Sequence, residues 1–384
     1  MIECIKSSGV EIMDIKHVGT KWRYFTYLFV LIFLLMYPPN SFILHAQEAA
    51  GQASVQDAAA GQEEKSAQSV SAHAIDVSSA VITINHPEDL SALLAIEPGN
   101  TRTVLLLLTL DTDTFRQLKV IFPQIKGLIH LDMSGCTLAK GTVSLGGTFK
   151  DCVCLLSVSI PEGILYSGDE VFMGCKNLQS VQLPESLQII FSSAFSGCSS
   201  LESLTIPPKV TTIGKNAFLD CSKLPQIILP EKVSGIGTGA FAGCTSLTEI
   251  VVTSKSRKYT YVSGILFEQT SGGKALHSYI RTGSVPVIPP DVITIYERAF
   301  YNNTSVYSVI IPDTISSIGD EAFAQCAGLV SIEIGGGVSF IGRDAFKGCT
   351  SLQEIVVRKQ RKIPSDWDKN WIGGLLYGLI KFVP

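Results

Sequence analysis

The stretch Val210-Thr211-Thr212-Ile213-Gly214-Lys215-Asn216-Ala217-Phe218-Leu219-Asp220-Cys221-Ser222-Lys223-Leu224 decides how the chain is read, because its marks return at one interval. Phe149, Phe172, Phe195, Phe218 and Phe241 stand 23 residues apart, and Phe300, Phe323 and Phe346 resume the step. Three residues after each Phe comes Cys152, Cys175, Cys198, Cys221, Cys244, Asn303, Cys326 or Cys349. Three further on stands Leu155, Leu178, Leu201, Leu224, Leu247, Val306, Leu329 or Leu352. Two alternating apolar positions follow, such as Val181 with Leu183 or Ile332 with Ile334, and alternation at period 2 marks a short strand with one face inward. The second half of the unit recurs as Val233, Ile236, Gly237 and as Val338, Ile341, Gly342, with the glycine read as a turn residue that carries no Cβ penalty. A unit this short cannot bury its own apolar face, so units must stack and their strands must form a parallel sheet.

These marks resemble the BspA-type leucine-rich repeat, a family of bacterial and protist surface proteins. Its pattern Ile-Gly-x-x-Ala-Phe-x-x-Cys-x-x-Leu stands here as Ile213-Gly214, Ala217-Phe218, Cys221 and Leu224. The expected fold is a leucine-rich-repeat solenoid, mostly β with short helical turns, wound as a right-handed superhelix of about 23-residue repeats with a parallel sheet. The array is expected over 128–357, with Leu128, Leu131, Met133, Cys136 and Leu138 as its first rung. Residues 75–127 are apolar without repeating and are read as an amino-terminal cap, because a solenoid end would otherwise expose its core. Residues 358–384, with Trp367, Trp371 and Leu375 to Ile380, are read as the carboxyl-terminal cap. One interval breaks the rule: Phe241 to Phe300 is 59 residues, 13 more than two units. The surplus falls at about 261–280, where Gly264 to Phe267 and Ala275 to Tyr279 flank Ser271-Gly272-Gly273, the pattern of a hairpin. A longer repeat variant of the same family has this character.

The amino terminus reads as an export signal over 1–46, with Lys16, Lys21 and Arg23 before the apolar run Phe25 to Tyr37 and a cleavage site at Leu44-His45-Ala46. Met13 offers a later start that would shorten it. Residues 47–74, rich in Ala, Gln, Ser and Glu and without aromatics, read as a flexible stalk. The expected location is therefore exported: extracellular, cell surface or periplasmic.

Hydrophobic residues make up 46% of the chain and charged ones 17%, which suits a continuous core, and a net charge of −4 supplies no basic field for nucleic acid. Export favours disulfides, but equivalent side chains of stacked units point the same way, whereas a bridge needs Cβ vectors that approach each other. The repeat cysteines are read as a ladder of buried free thiols, and zinc is disfavoured because only Cys152 and Cys154 lie close in sequence. Asn303 in one unit can satisfy backbone groups but cannot form a bridge. No His-Glu-x-x-His or Gly-x-Ser-x-Gly is present, and within the array only His130 and His277 are histidines, neither beside a catalytic motif. Gly235, Gly237 and Ala240 mimic part of a dinucleotide fingerprint but belong to the repeat. The reading is a non-enzyme with no cofactor, metal, small-molecule substrate or nucleic acid.

What remains is surface. Strand positions between the inward pairs should face out, and they pass from Ser157, Ser159, Ser180, Gln182, Ser203 and Thr205 in early units to Ile228, Val251 and Ile310 in later ones. An apolar stripe of this kind supports protein binding, although plain β-propensity would also place Val and Ile there. Lys255, Arg257, Lys258, Tyr259 and Tyr261 add charge and aromatics just before the insertion. The candidate protein-binding residues are thus Ile228, Val251, Arg257, Lys258, Tyr259, Tyr261 and Ile310. The resemblance implies adhesion to host or neighbouring-cell proteins, and the alternative is an envelope-assembly scaffold without a host ligand.

Overall fold

Each 23-residue step forms one turn of a parallel β-solenoid, about 13 turns in all. The computed structural model describes residues 75–253, 256–280, 285–375 and 377–384, so the expected signal peptide and stalk, and Lys255, lie outside the described residues. One face carries the longer strands in three runs. The first joins Val81–Ile84, Thr101–Leu106, Leu128–Asp132, Leu155–Ser159, Ser180–Gln182 and Ser203–Leu204. The second pairs Gln226–Leu229 with Glu249–Val252, and the third joins Ser308–Ile311, Ser331–Ile334, Glu354–Arg358 and Ile380–Val383. Pairing follows the repeat, as in Val158 beside Val181, Ile228 beside Val251 and Ile310 beside Glu333. A second face carries two-residue strands such as Ile189–Ile190, Thr212–Ile213 and Gly235–Ile236.

Between the faces the Phe column is fully buried, and neighbouring rings stack with centroids 5.5, 5.4, 5.3 and 5.9 Å apart from Phe149 to Phe241. Phe300, Phe323 and Phe346 repeat this at 4.5 and 5.3 Å. Beside them runs the cysteine column. Cys175 Sγ donates to the Phe149 carbonyl, and Cys198, Cys221, Cys244, Cys326 and Cys349 each reach the Phe carbonyl of the preceding turn at 3.1 Å. All nine described cysteines are unbridged and buried, and burial pushes the thiols of Cys154, Cys175, Cys244 and Cys349 up to about 12. At the position without a cysteine, Asn303 Oδ1 accepts the Ser305 amide at 3.2 Å.

The corners are not the short helical turns expected; among the described residues of 128–357 there is no helix. Two observations explain it. The Phe amides donate across to the next turn, as Phe195 does to the Ala217 carbonyl and Phe218 to that of Ala240, and so cannot close an i→i−4 bond. In addition, Glu170, Ser193, Asn216, Arg298, Glu321 and Asp344 occupy one repeat position with φ between 53° and 57°, outside the right-handed helical region. The conserved-looking glycine of the Ile-Gly pair has another role: a Cβ on Gly214 would lie 2.5 Å from the backbone of Phe191 and Ser192, so glycine permits the close approach of successive turns.

The segment read as the amino-terminal cap carries two solenoid turns itself, because Val81–Ile84 and Thr101–Leu106 pair in register with the array. It also supplies the α-helix Thr112–Ile121, capped by Asp111, whose side chain accepts the Thr114 amide at 2.8 Å. Phe122, just after it, meets the Phe149 ring edge-on at 5.3 Å and closes the Phe column. At the other end Trp371 sits edge-on to Phe346 at 5.6 Å, with Trp367 packed against Trp371 at 4.8 Å.

The insertion holds the expected hairpin, Ile265–Thr270 antiparallel to Gly273–Tyr279, and extends it by a further strand, Tyr259–Val262, antiparallel to the first. The second hairpin strand pairs parallel with Val292–Ile295 and so restarts the short-strand face. Strand Ile265–Thr270 divides the core: Leu266 packs into the amino-terminal cluster while Ile265 and Phe267 pack into the carboxyl-terminal one. Three consecutive apolar residues are what a strand buried on both faces requires.

Candidate binding surface

The outward strand positions are none of them buried, and they sort by turn. In the early turns Ser157, Ser180 and Ser203 form one column and Ser159 and Gln182 another, lining a broad polar groove of about 470 Å³ with Glu162 and Glu185 at its rim. From Gln226 onward the second column becomes apolar. Ile228, 57% exposed, lies beside half-buried Val251, and Ile310 is 53% exposed. Sequence reasoning missed a residue between them. Val287 stands 23 residues before Ile310, alternates with buried Pro286 and Ile288, and is 80% exposed. Val285, two residues earlier and 55% exposed, faces out on the same turn. The signal was the 23-residue phase counted backward from Ile310, but the Pro-rich run Pro286-Val287-Ile288-Pro289-Pro290 carries no ordinary strand pattern, and it forms no paired strand.

Next to this column a groove of about 430 Å³ is lined by Glu249, Val251, Thr253, Thr260, Tyr261 and Val262. It brings two candidates together, Val251 and Tyr261, the latter anchored by its hydroxyl donating to the Thr248 carbonyl at 3.2 Å. Arg257 is exposed, whereas Lys258 is held by Glu268 at 3.1 Å and by the Ser234 carbonyl at 2.7 Å.

Tyr259 requires a correction. Read as an exposed interface aromatic, it is 1% exposed. Strand Gly235–Ile236 is the last of its run, and Ile236 turns its amide and carbonyl toward a turn in which no strand pairs with it. The Tyr259 hydroxyl accepts the Ile236 amide at 2.8 Å, and His277 Nε2 meets the Ile236 carbonyl at 3.2 Å. That network assigns the proton to Nε2 and leaves Nδ1 to accept from the Ser278 hydroxyl at 2.9 Å. Two side chains thus replace a missing strand, since buried backbone groups must find partners. Burial holds the His277 ring below the usual histidine pKa. His130, by contrast, is half-buried with its Nδ1 2.8 Å from Ser157 Oγ. Neither histidine faces a nucleophile and acid in catalytic array, and no metal-binding cluster occurs among the described residues.

A family model described as the BspA type leucine rich repeat region matches in 6 copies over residues 146–271 and 283–366, more than half the chain. The chain belongs to the BspA-type leucine-rich-repeat family. A BspA-type solenoid is typically a binding scaffold without catalysis, and leucine-rich-repeat proteins generally mediate protein interactions. Among solved structures, a leucine-rich repeat protein of Eubacterium ventriosum shares 19% identity over 79% of this chain and 80% of its own, with a TM-score of 0.55, and shows the same fold. A leucine rich cell surface protein of Faecalibacterium prausnitzii shares 26% identity over 68% of this chain and 80% of its own, with a TM-score of 0.48. Comparison with curated proteins gives no match. No helix among the described residues is long and apolar enough to cross a membrane.

Proposed function

We propose that this BspA-type array is an exported protein-binding module that holds proteins of a host or a neighbouring cell through the long-strand face of its carboxyl-terminal half. The observation that carries this reading is the column Ile228, Val251, Val287 and Ile310, which sets apolar side chains outward on four consecutive turns. A scattered exposed Ile needs no explanation, but apolar groups in register over successive turns make a contiguous patch. The rigid backbone of stacked turns means that little ordering cost accompanies contact, so modest contacts can add up. The leader-like amino terminus supports export.

The test couples location to binding. Intact cells are labelled with a membrane-impermeant reagent, and the purified full chain is assayed against immobilised host extracellular-matrix proteins and neighbouring-cell envelope proteins. Labelling of the chain and saturable binding that falls at least about tenfold in Val287→Ser with Ile310→Ser are expected, as anchor residues each contribute about 1–2 kcal/mol. Ser180→Ala with Gln182→Ala is expected to leave binding intact. Loss in the second pair and not the first would move the site to the polar groove.

A further inference from the structure

The charge beside the apolar column defines what it can meet; this step rests on the binding face proposed above. In a solenoid the loops that follow equivalent strands leave from the same edge. After Leu155–Ser159 and Ser180–Gln182 that edge carries Pro161-Glu162 and Pro184-Glu185. After Glu249–Val252 it carries Arg257-Lys258, and after Glu354–Arg358 it carries Lys359-Gln360-Arg361-Lys362. The edge therefore changes sign along the array, from acidic beside the polar groove to basic beside the apolar column.

The carboxylates near the basic stretch are already engaged within the chain. Asp291 pairs with Lys274 at 2.5 Å, Asp313 with Lys359 at 2.6 Å and Glu354 with Lys381 at 2.6 Å. Glu333 lies 2.7 Å from Arg358 Nε, an ion pair outside directed hydrogen-bond geometry. Glu249, at the opposite end of its strand from the basic edge, accepts from Gln226 at 2.7 Å. Arg257, Arg361 and Lys362 are exposed and make no ion pair among the described residues. Two turns separate Ile310 from the turn of Arg361, about 10 Å along the array at the usual strand spacing. That is close to the Debye length of about 8 Å at physiological salt, so both groups act on one docked partner.

We propose that the partner is a protein segment with an apolar contact face flanked by carboxylates, docked with its apolar face on the Val251, Val287 and Ile310 column and its carboxylates toward Arg257 and the Arg361-Lys362 pair. Exposed charge pairs contribute little to affinity individually, so the basic edge selects and orients the partner while the apolar column holds it.

The probes are three short amphipathic peptides that share one leucine-valine face and carry glutamate, glutamine or lysine on the other. Each bears a neutral dye and is titrated by fluorescence anisotropy with the full chain. The glutamate peptide is expected to bind at least about tenfold more tightly than the lysine peptide at about 50 mM salt, with the gap closing as salt shortens the screening length. In Arg257→Glu with Arg361→Glu and Lys362→Glu the order is expected to reverse while the thermal midpoint stays unchanged. Equal binding of all three peptides, or no binding of the glutamate peptide at millimolar concentration, overturns the acidic-partner proposal. The column is read separately: Val287→Ser with Ile310→Ser is expected to weaken all peptides, and undiminished binding there overturns the choice of face instead.

Discussion

Ile236 shows what a single residue needs when a repeat is interrupted. Its amide and carbonyl would ordinarily meet the next turn, and here they meet the Tyr259 hydroxyl and the His277 ring. Removing only the phenol oxygen in Tyr259→Phe keeps the ring and strands the amide, which should cost about 1–3 kcal/mol by urea denaturation. A loss below about 0.5 kcal/mol, the usual surface value, would show that water replaces the hydroxyl and that the contact is dispensable. The cysteines present the opposite case, in which one residue type repeats the same bond. Their thiols donate to carbonyls one turn back, and burial raises their pKa values, so thiolate chemistry is suppressed in the folded protein. A thiol reagent should therefore react with few of the described cysteines natively and with all of them after denaturation without reductant. Thiols recovered only after reduction would mean bridges.

At the scale of elements, the solenoid strands were legible because a 23-residue phase repeats Phe, Cys and Leu in register, and the hairpin because Gly272-Gly273 separates two strand-like runs. The strand Tyr259–Val262 was not. It follows Ser256-Arg257-Lys258, which reads as a solvated loop, although Tyr259 and Tyr261 do alternate at period 2. Its partner across the junction was equally hidden, since a side chain that serves a backbone group leaves no periodic mark. Helical corners were expected from the resemblance, and the inter-turn amide bonds exclude them. The insertion also carries a pH dependence. His277 is enclosed by Tyr259 at 6.4 Å and Tyr296 at 5.7 Å, with Glu268 and Lys258 acting on it by charge in opposite directions. Its folded pKa lies below 6.5, so as pH falls through that value the unfolded chain takes up a proton that the folded ring refuses. Its contribution to stability is whole above about pH 6.5 and declines below it, until the folded ring also protonates. The urea midpoint of the wild type should drop between about pH 6.5 and 5 more steeply than that of His277→Gln, and parallel curves would remove the ring from the account.

Across the whole molecule the buried residues form two clusters that share only the strands of the insertion, one ending near Ile250 to Ile280 and the other running from Ile265 to Ile372. Within each, a Phe column passes stabilisation from turn to turn, but between Phe241 and Phe300 the 23-residue step fails and Tyr279 instead stacks on Phe300 at 5.0 Å. Across the gap run polar contacts, Arg298 to Asn216 at 3.0 Å and Lys215 to Glu297 at 2.8 Å, which are partly exposed and individually modest. An array whose turns contact only their neighbours behaves as a one-dimensional chain of coupled units, and its weakest coupling sets where cooperativity breaks. Here that point is the insertion. Phe218, buried in the middle of the amino-terminal column, should cost about 3–5 kcal/mol when cut to Ala. The loss should not spread evenly. In Phe218→Ala, amide hydrogen exchange should accelerate from the amino-terminal cap to the strand Glu249–Val252 while the strands from Ser308 to Arg358 keep their wild-type protection, and Phe323→Ala should do the reverse. If either substitution accelerates both halves equally, the Tyr259 and His277 contacts couple the clusters as firmly as a complete turn does, and the array is one cooperative unit.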